Sequence, residues 1–258
     1  MSSMKPIFVI FAGCLMLGIT TNLRAAVLDT PFTDLEAHYH VFRGSLKTGD
    51  RRVVLEKTRN NHYRVHAKET PNQMLRLLDN GAITESSIFF IIRDILSSKR
   101  YSYFNSYEKP KQHISLVWDW EAFILWGEQG DKFTSSDLDG YADRNLVDPL
   151  TFQFLIMHDI KSNRLAKGYR TTNGHEIVLQ VIKDHGKDKQ KFGRRSLTTK
   201  KIEFRPEVGG QSTTIWFARE LKYFPIRIEY HYENKQDIVL VLNEYKDLSA
   251  EEEREAED

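Results

Sequence analysis

The chain has 258 residues, 40% hydrophobic, 12% aromatic and 28% charged, with 37 basic against 36 acidic side chains and a single cysteine. One thiol cannot form an intrachain disulfide, a zinc ribbon or an iron-sulfur cluster, so the fold must rest on its apolar core. A balanced net charge gives no general attraction to nucleic acid, and a chain of this length buries about 70 to 75% of its unfolded surface in one domain.

Met1 to Pro6 leads into an apolar run from Ile7 to Ile19, followed by Thr20, Thr21, Asn22 and then Leu23-Arg24-Ala25-Ala26. A basic residue, a short apolar core and small residues at a cut site are the three parts of a secretory signal. The run has 13 residues, too few for a hydrocarbon core that needs roughly 20 residues of helix. Residues 1–25 are therefore predicted to be a cleavable signal peptide, giving a periplasmic protein with no transmembrane segment after cleavage. The competing reading is a lipoprotein acylated at Cys14, because Phe11-Ala12-Gly13-Cys14 approximates a lipoprotein box. Phe11 opens such a box poorly, and Leu15-Met16-Leu17 carries the apolar segment past the cysteine. Cys14 is thus predicted to leave with the leader.

From residue 26 to 248 alternation at a period of two dominates, the mark of strands with one wet and one dry face. Leu35, Ala37, Tyr39 and Val41 share one side of a first strand, and Tyr63, Val65 and Ala67 oppose His62, Arg64, His66 and Lys68 on another. Further strands are predicted at Val53 to Lys57, Thr84 to Ile92, Tyr101 to Tyr107, Ile114 to Trp118, Phe123 to Gly127, Glu176 to Lys183, Leu197 to Arg205 and Thr213 to Phe217. Near the end Ile226, Ile228, Tyr230 and Tyr232 oppose Arg227, Glu229 and His231, and Glu233-Asn234-Lys235 turns the chain into Ile238, Leu240 and Leu242. Turns are predicted at Thr48-Gly49-Asp50, Asn60-Asn61, His185-Gly186-Lys187 and Gly209-Gly210. A short helix is predicted near Asn72 to Leu78, grouping Met74, Leu75 and Leu78. A longer one starts with Asp148 as cap and Pro149 in the first turn, and ends among Lys161, Arg164 and Lys167.

The stretch from Lys183 to Arg205 holds nine basic and three acidic residues. It reads as a solvated hairpin whose charges discourage sheet-to-sheet pairing, not as a nucleic-acid site. The last residues, 249–258, include six acids and one arginine and are predicted to be a frayed or disordered tail.

About ten strands and two short helices without a linker or repeat predict a mainly β protein. Its single curved antiparallel sheet should close partly or fully into a barrel. The chain contains no G-x-S-x-G, H-E-x-x-H, phosphate-binding glycine loop or dinucleotide fingerprint, so no catalytic residue and no cofactor is assigned. His38 and His40 on one strand and His62 and His66 on another are read as exposed strand residues, and no metal site is assigned, because strands two places apart are too distant to share an ion. Asp137-Leu138-Asp139-Gly140 starts like a calcium loop but lacks its later glycine and glutamate, so it is read as a turn. Asp119 and Glu121 flank a hairpin turn. The aromatic strand residues Phe89, Trp118, Trp126 and Trp216 are the candidate lining of an apolar ligand cavity, core packing being the alternative.

The stretch Thr213-Thr214-Ile215-Trp216-Phe217-Ala218-Arg219-Glu220-Leu221-Lys222-Tyr223-Phe224-Pro225-Ile226-Arg227-Ile228-Glu229 resembles the signature of the DUF3108 family of uncharacterised exported bacterial proteins. Glu85-Ser86-Ser87-Ile88-Phe89, Trp118-Asp119-Trp120 and Asp148-Pro149-Leu150 resemble it as well, and the matches span about residues 32 to 245. The region from His185 to Thr199 departs from the pattern, being longer and more basic than the family's turn. The resemblance implies export, an envelope location and a β-rich fold related to the half-open barrels of the lipoprotein carriers LolA and LolB. It implies no established activity, and it casts Trp216, Pro225 and Arg227 as architecture. The functional expectation is a non-enzymatic envelope protein that binds a lipid or other hydrophobic molecule in its curved sheet. A structural or assembly protein acting on an envelope partner through its surface is the alternative, and a hydrolase of envelope polymers is third.

Overall fold

The computed structural model describes residues 32–58, 61–76, 81–129, 132–138, 146–174 and 176–249 of the chain. The leader with Cys14, Asn60, Leu78, Asp139, Gly140 and the tail from residue 250 lie outside them. The first half consists of β1 (Leu35–Arg43), β2 (Leu46–Lys57), β3 (His62–Pro71), helix α1 (Gln73–Arg76), β4 (Ile83–Ile92), β5 (Ile95–Asn105), β6 (Gln112–Asp119), β7 (Ile124–Gln129) and β8 (Lys132–Asp137). The second half consists of β9 (Leu146–Val147), helix α2 (Pro149–Lys161), β10 (Gly168–Thr172), β11 (Ile177–Phe192), β12 (Arg195–Pro206), β13 (Ser212–Ala218), β14 (Phe224–His231) and β15 (Ile238–Asp247).

Among the described residues the strands form one sheet of 15, in the order β8-β7-β6-β5-β4-β3-β2-β1-β15-β14-β13-β12-β11-β10-β9. The chain thus starts at the middle of the sheet, builds outward to one edge, crosses to the other edge and returns to pair β15 with β1. All neighbours are antiparallel except β9 and β10, which α2 joins as the long crossover that parallel strands need. The predicted single, curved, mainly antiparallel sheet with two helices is what the chain forms.

Curvature follows from the connection between the two edges. Asp137 ends β8 and Leu146 begins β9, and nine extended residues reach only about 30 Å, so the edges must approach. Ser98 of β5 donates to Asp148, one residue beyond β9, at 2.6 Å, and a Cβ placed on Gly174 after β10 would lie 2.8 Å from Leu116 Cδ2 of β6. The two edges face each other without a ladder between them, so the barrel is curled but not closed. Strand alternation puts the β1–β2, β3–β4, β5–β6, β10–β11, β12–β13 and β14–β15 connections at one pole, and the β2–β3, β4–β5, β6–β7, β11–β12 and β13–β14 connections at the other.

Helix α2 fills the interior at the second pole. Asp148 has extended backbone angles, φ −77 and ψ 165, and its carboxylate accepts from the N–H groups of Leu150 and Thr151, while Pro149 supplies the fixed first-turn φ. Nine of its side chains, from Leu150 to Ile160, are buried, which is what a helix apolar on all sides requires. Phe154 stacks on Phe89 with centroids 5.5 Å apart and takes Phe32 edge-on at 5.6 Å. Phe152 meets Phe204 edge-on at 5.0 Å.

Several boundaries differ from the sequence prediction. Thr48-Gly49-Asp50 is not a turn but part of β2. The chain reverses earlier, at Gly44-Ser45, and Gly49 is needed because any Cβ there would overlap the carbonyl oxygen of Thr70. His185-Gly186-Lys187 is likewise a bulge inside β11, where the register shifts between Asp184 and Lys187, and the hairpin turns at Gly193-Arg194. The strands β8, β9 and β10 are additional to those predicted, and Met74, grouped in the sequence with Leu75 and Leu78, is 75% exposed.

Candidate functional site: a two-walled cavity above the internal helix

The part of the barrel that α2 leaves free encloses a cavity of about 840 Å³, well above the roughly 300 Å³ at which small-molecule sites begin. Its floor is Pro149 and Phe152 at the start of α2, and its rim carries Arg43, Glu176, Glu207 and Val208 at the first pole. Phe204, Ile215, Leu240 and Leu179, from β12, β13, β15 and β11, make an apolar wall. The facing wall, from β2 to β5, is polar: Arg51, Glu69, Glu85 and Tyr103, joined by Tyr230 of β14.

Strand register assembles that polar wall. Arg51 is the ladder partner of Glu69, and Glu85 that of Tyr103. The side chains of Arg51, Glu69 and Glu85 are only 12%, 18% and 15% exposed. Arg51 Nη2 donates to Glu85 Oε2, and its Nη1 lies 3.8 Å from Glu69 Oε2. The Tyr101 hydroxyl donates to the other oxygen of Glu85 at 3.5 Å. Burial opposes the charge on Arg51, but Glu85, Tyr230 and Glu69 outweigh it and raise its pKa, so the guanidinium stays protonated. Burial pushes the Glu69 carboxyl above the usual carboxylate range, against the pull of Arg51 and Arg43. Burial also raises the Tyr230 hydroxyl to about 12. Among the described residues, none donates a hydrogen bond to Glu69 and none bonds the Tyr230 hydroxyl.

Beneath the floor a second polar cluster is complete in itself. One Asp148 oxygen accepts from the N–H groups of Leu150 and Thr151 at 3.0 and 2.8 Å, and the other from Ser87 and Ser98 at 2.8 and 2.6 Å. Trp120 Nε1 donates to the Ser98 carbonyl at 2.7 Å. The cap satisfies the helix N-terminus, so it offers the cavity no free donors. Three of the segments resembling DUF3108, those with Ser87, Trp120 and Asp148, therefore meet around Ser98.

The four aromatic candidates are dispersed. Phe89 is fully buried, stacked between Tyr63 at 5.2 Å and Phe154 at 5.5 Å. Trp118 is buried, and its Nε1 has no hydrogen-bond partner among the described residues. Trp126 is 51% exposed on β7. Trp216 lies on the outer face of β13, where Nε1 donates to Asp188 at 2.7 Å and Lys201 and Arg227 sit 5.0 and 5.7 Å from its ring centroid. None of the four lines the cavity. Arg227 also pairs with Glu229 at 2.6 Å, and the Pro225 carbonyl accepts from the Tyr39 hydroxyl at 2.7 Å, both architectural roles. His38 and His40 face outward, paired at 2.7 Å with Glu36 and Asp50. The Asp119 carboxylate caps its hairpin turn by accepting from the N–H groups of Glu121 and Ala122.

No family model matches the sequence, and no curated protein does. Among solved structures the chain is similar to a β-barrel-like protein of a domain of unknown function, DUF1849, from Brucella abortus. The TM-score is 0.54 at 6% identity, covering 83% of this chain and 97% of that one. At that identity the likeness is one of fold: the chain has a β-barrel-like architecture.

Proposed function

We propose that the protein is a non-enzymatic, exported envelope protein that binds an amphipathic lipid-like molecule in the barrel cavity. The observation that carries this reading is the opposition of an apolar wall and a charged wall across about 840 Å³ of space open at one pole. Such a site shelters a hydrocarbon body by the hydrophobic effect and orients it through a few polar groups. Val208 on the rim, with Leu46 and Met74 in the connections of the same pole, is 61% exposed or more and gives an apolar molecule a threshold to cross. Export rests on the leader-like N-terminus and on the resemblance to DUF3108.

The test is extraction of the protein purified from a periplasmic fraction, followed by lipid mass spectrometry. A stoichiometric amphiphile is expected, lost in Leu240→Trp, which fills the cavity. A ligand-free sample that takes up no amphiphile from a panel, but retains a protein partner through purification, would instead favour an assembly role.

A further inference from the structure

Taking the cavity as an amphiphile site, we infer that the head group it selects is a single ammonium, received by Glu69 and Tyr230. The cavity is lined by two guanidiniums, Arg43 and Arg51, against four carboxylates, Glu69, Glu85, Glu176 and Glu207, with no other charged side chain among the described residues. Arg51 is already engaged by Glu85, which leaves it poorly placed to take an anion as well.

Glu69 is the opposite case. Its carboxylate is largely withdrawn from water, accepts no hydrogen bond from a described residue, and has its nearest cation 3.8 Å away. A carboxylate with ion-pair attraction but no hydrogen-bond donor carries a desolvation cost that is only partly offset, and a ligand donor reduces it. An ammonium offers three donors. One meets Glu69 and a second meets the unbonded Tyr230 oxygen. The hydrocarbon then lies along Ile215, Phe204 and Leu240.

The full chain is titrated calorimetrically at pH 7 with dodecylamine, dodecanoate and dodecanol, the first two below their micelle concentrations and the third below its solubility limit. Dodecylamine is expected to bind at least about tenfold more tightly than dodecanoate, and Glu69→Gln to weaken the amine by about tenfold while leaving dodecanol unchanged. Tyr230→Phe should weaken the amine by a few fold, so a misfolded Glu69→Gln does not end the test. Dodecanoate binding as tightly as dodecylamine, or amine binding indifferent to both substitutions in folded protein, overturns the ammonium assignment while leaving an amphiphile site standing. Failure of all three probes overturns the site itself.

Discussion

Asp148 does two jobs with one carboxylate: it caps α2 and ties the helix to β4 and β5 through Ser87 and Ser98. Removing it leaves two helix N–H groups and the buried Ser98 hydroxyl without their acceptor, and Ser87 with only the Arg100 carbonyl at 3.2 Å and Thr151, so Asp148→Ala is expected to lower stability by about 3 kcal/mol, measured by urea unfolding. Glu36 works at the surface. The two-pronged Arg52 contact at 2.7 Å, aided by His38, holds its pKa down at about 2 from 4.5. A depressed carboxylate stabilises the fold above its ordinary pKa, and that contribution is lost as the pH falls from about 4.5 towards 2. Glu36→Gln should flatten the pH dependence of the melting temperature over that window, by no more than about 1 kcal/mol because Arg52 is exposed. The polar wall shows in the alternation only once the strands are extended, because those predicted from sequence began at Val53 and ended at Lys68, short of Arg51 and Glu69. Arg51 is in phase with Val53 and Leu55, Glu69 with Tyr63, Val65 and Ala67, and Glu85 with Ser87, each a charge on a dry face. Aromatic content pointed elsewhere, because large rings serve the core, the outer face and hairpin ends as readily as a ligand.

Among the elements, α2 was readable nearly to the residue, since Asp148-Pro149 fixes its start by local chemistry that no tertiary contact alters. Its role inside the barrel was not readable, because an all-round apolar helix declares that it is buried and not by what. Phe154 sits between Phe89 and Phe32 there, so Phe154→Ala should cost about 3 to 5 kcal/mol in chemical denaturation. The misplaced turns have one cause: glycine marks a special backbone position without saying which. Gly186, at φ +80, serves a bulge that lets β11 run for 16 residues, whereas Gly49 admits a neighbouring strand. Two-residue β9 offers no alternation to detect.

At the scale of the whole molecule, the approach of the sheet's two edges is what turns a long meander into a container. Gly174, at φ +92, and Gly186 both hold positive backbone angles, but only Gly174 has a side chain from the far edge, Leu116, in the space a Cβ would take. Each Gly→Ala change therefore carries the backbone penalty of about 1 kcal/mol. The excess destabilisation of Gly174→Ala over Gly186→Ala, read from paired thermal melts, measures the contact between edges; equal losses would mean that they stand apart. The pairing of β1 with β15 has a further consequence. The Leu248 N–H donates to the Asp34 carbonyl at 2.9 Å and the Asp34 N–H to Ser249 Oγ at 3.2 Å, so both ends of the described chain emerge side by side from the pole plugged by α2. A tag, tether or solid support fixed at either end grips that same pole, and in both cases the mouth is presented outward.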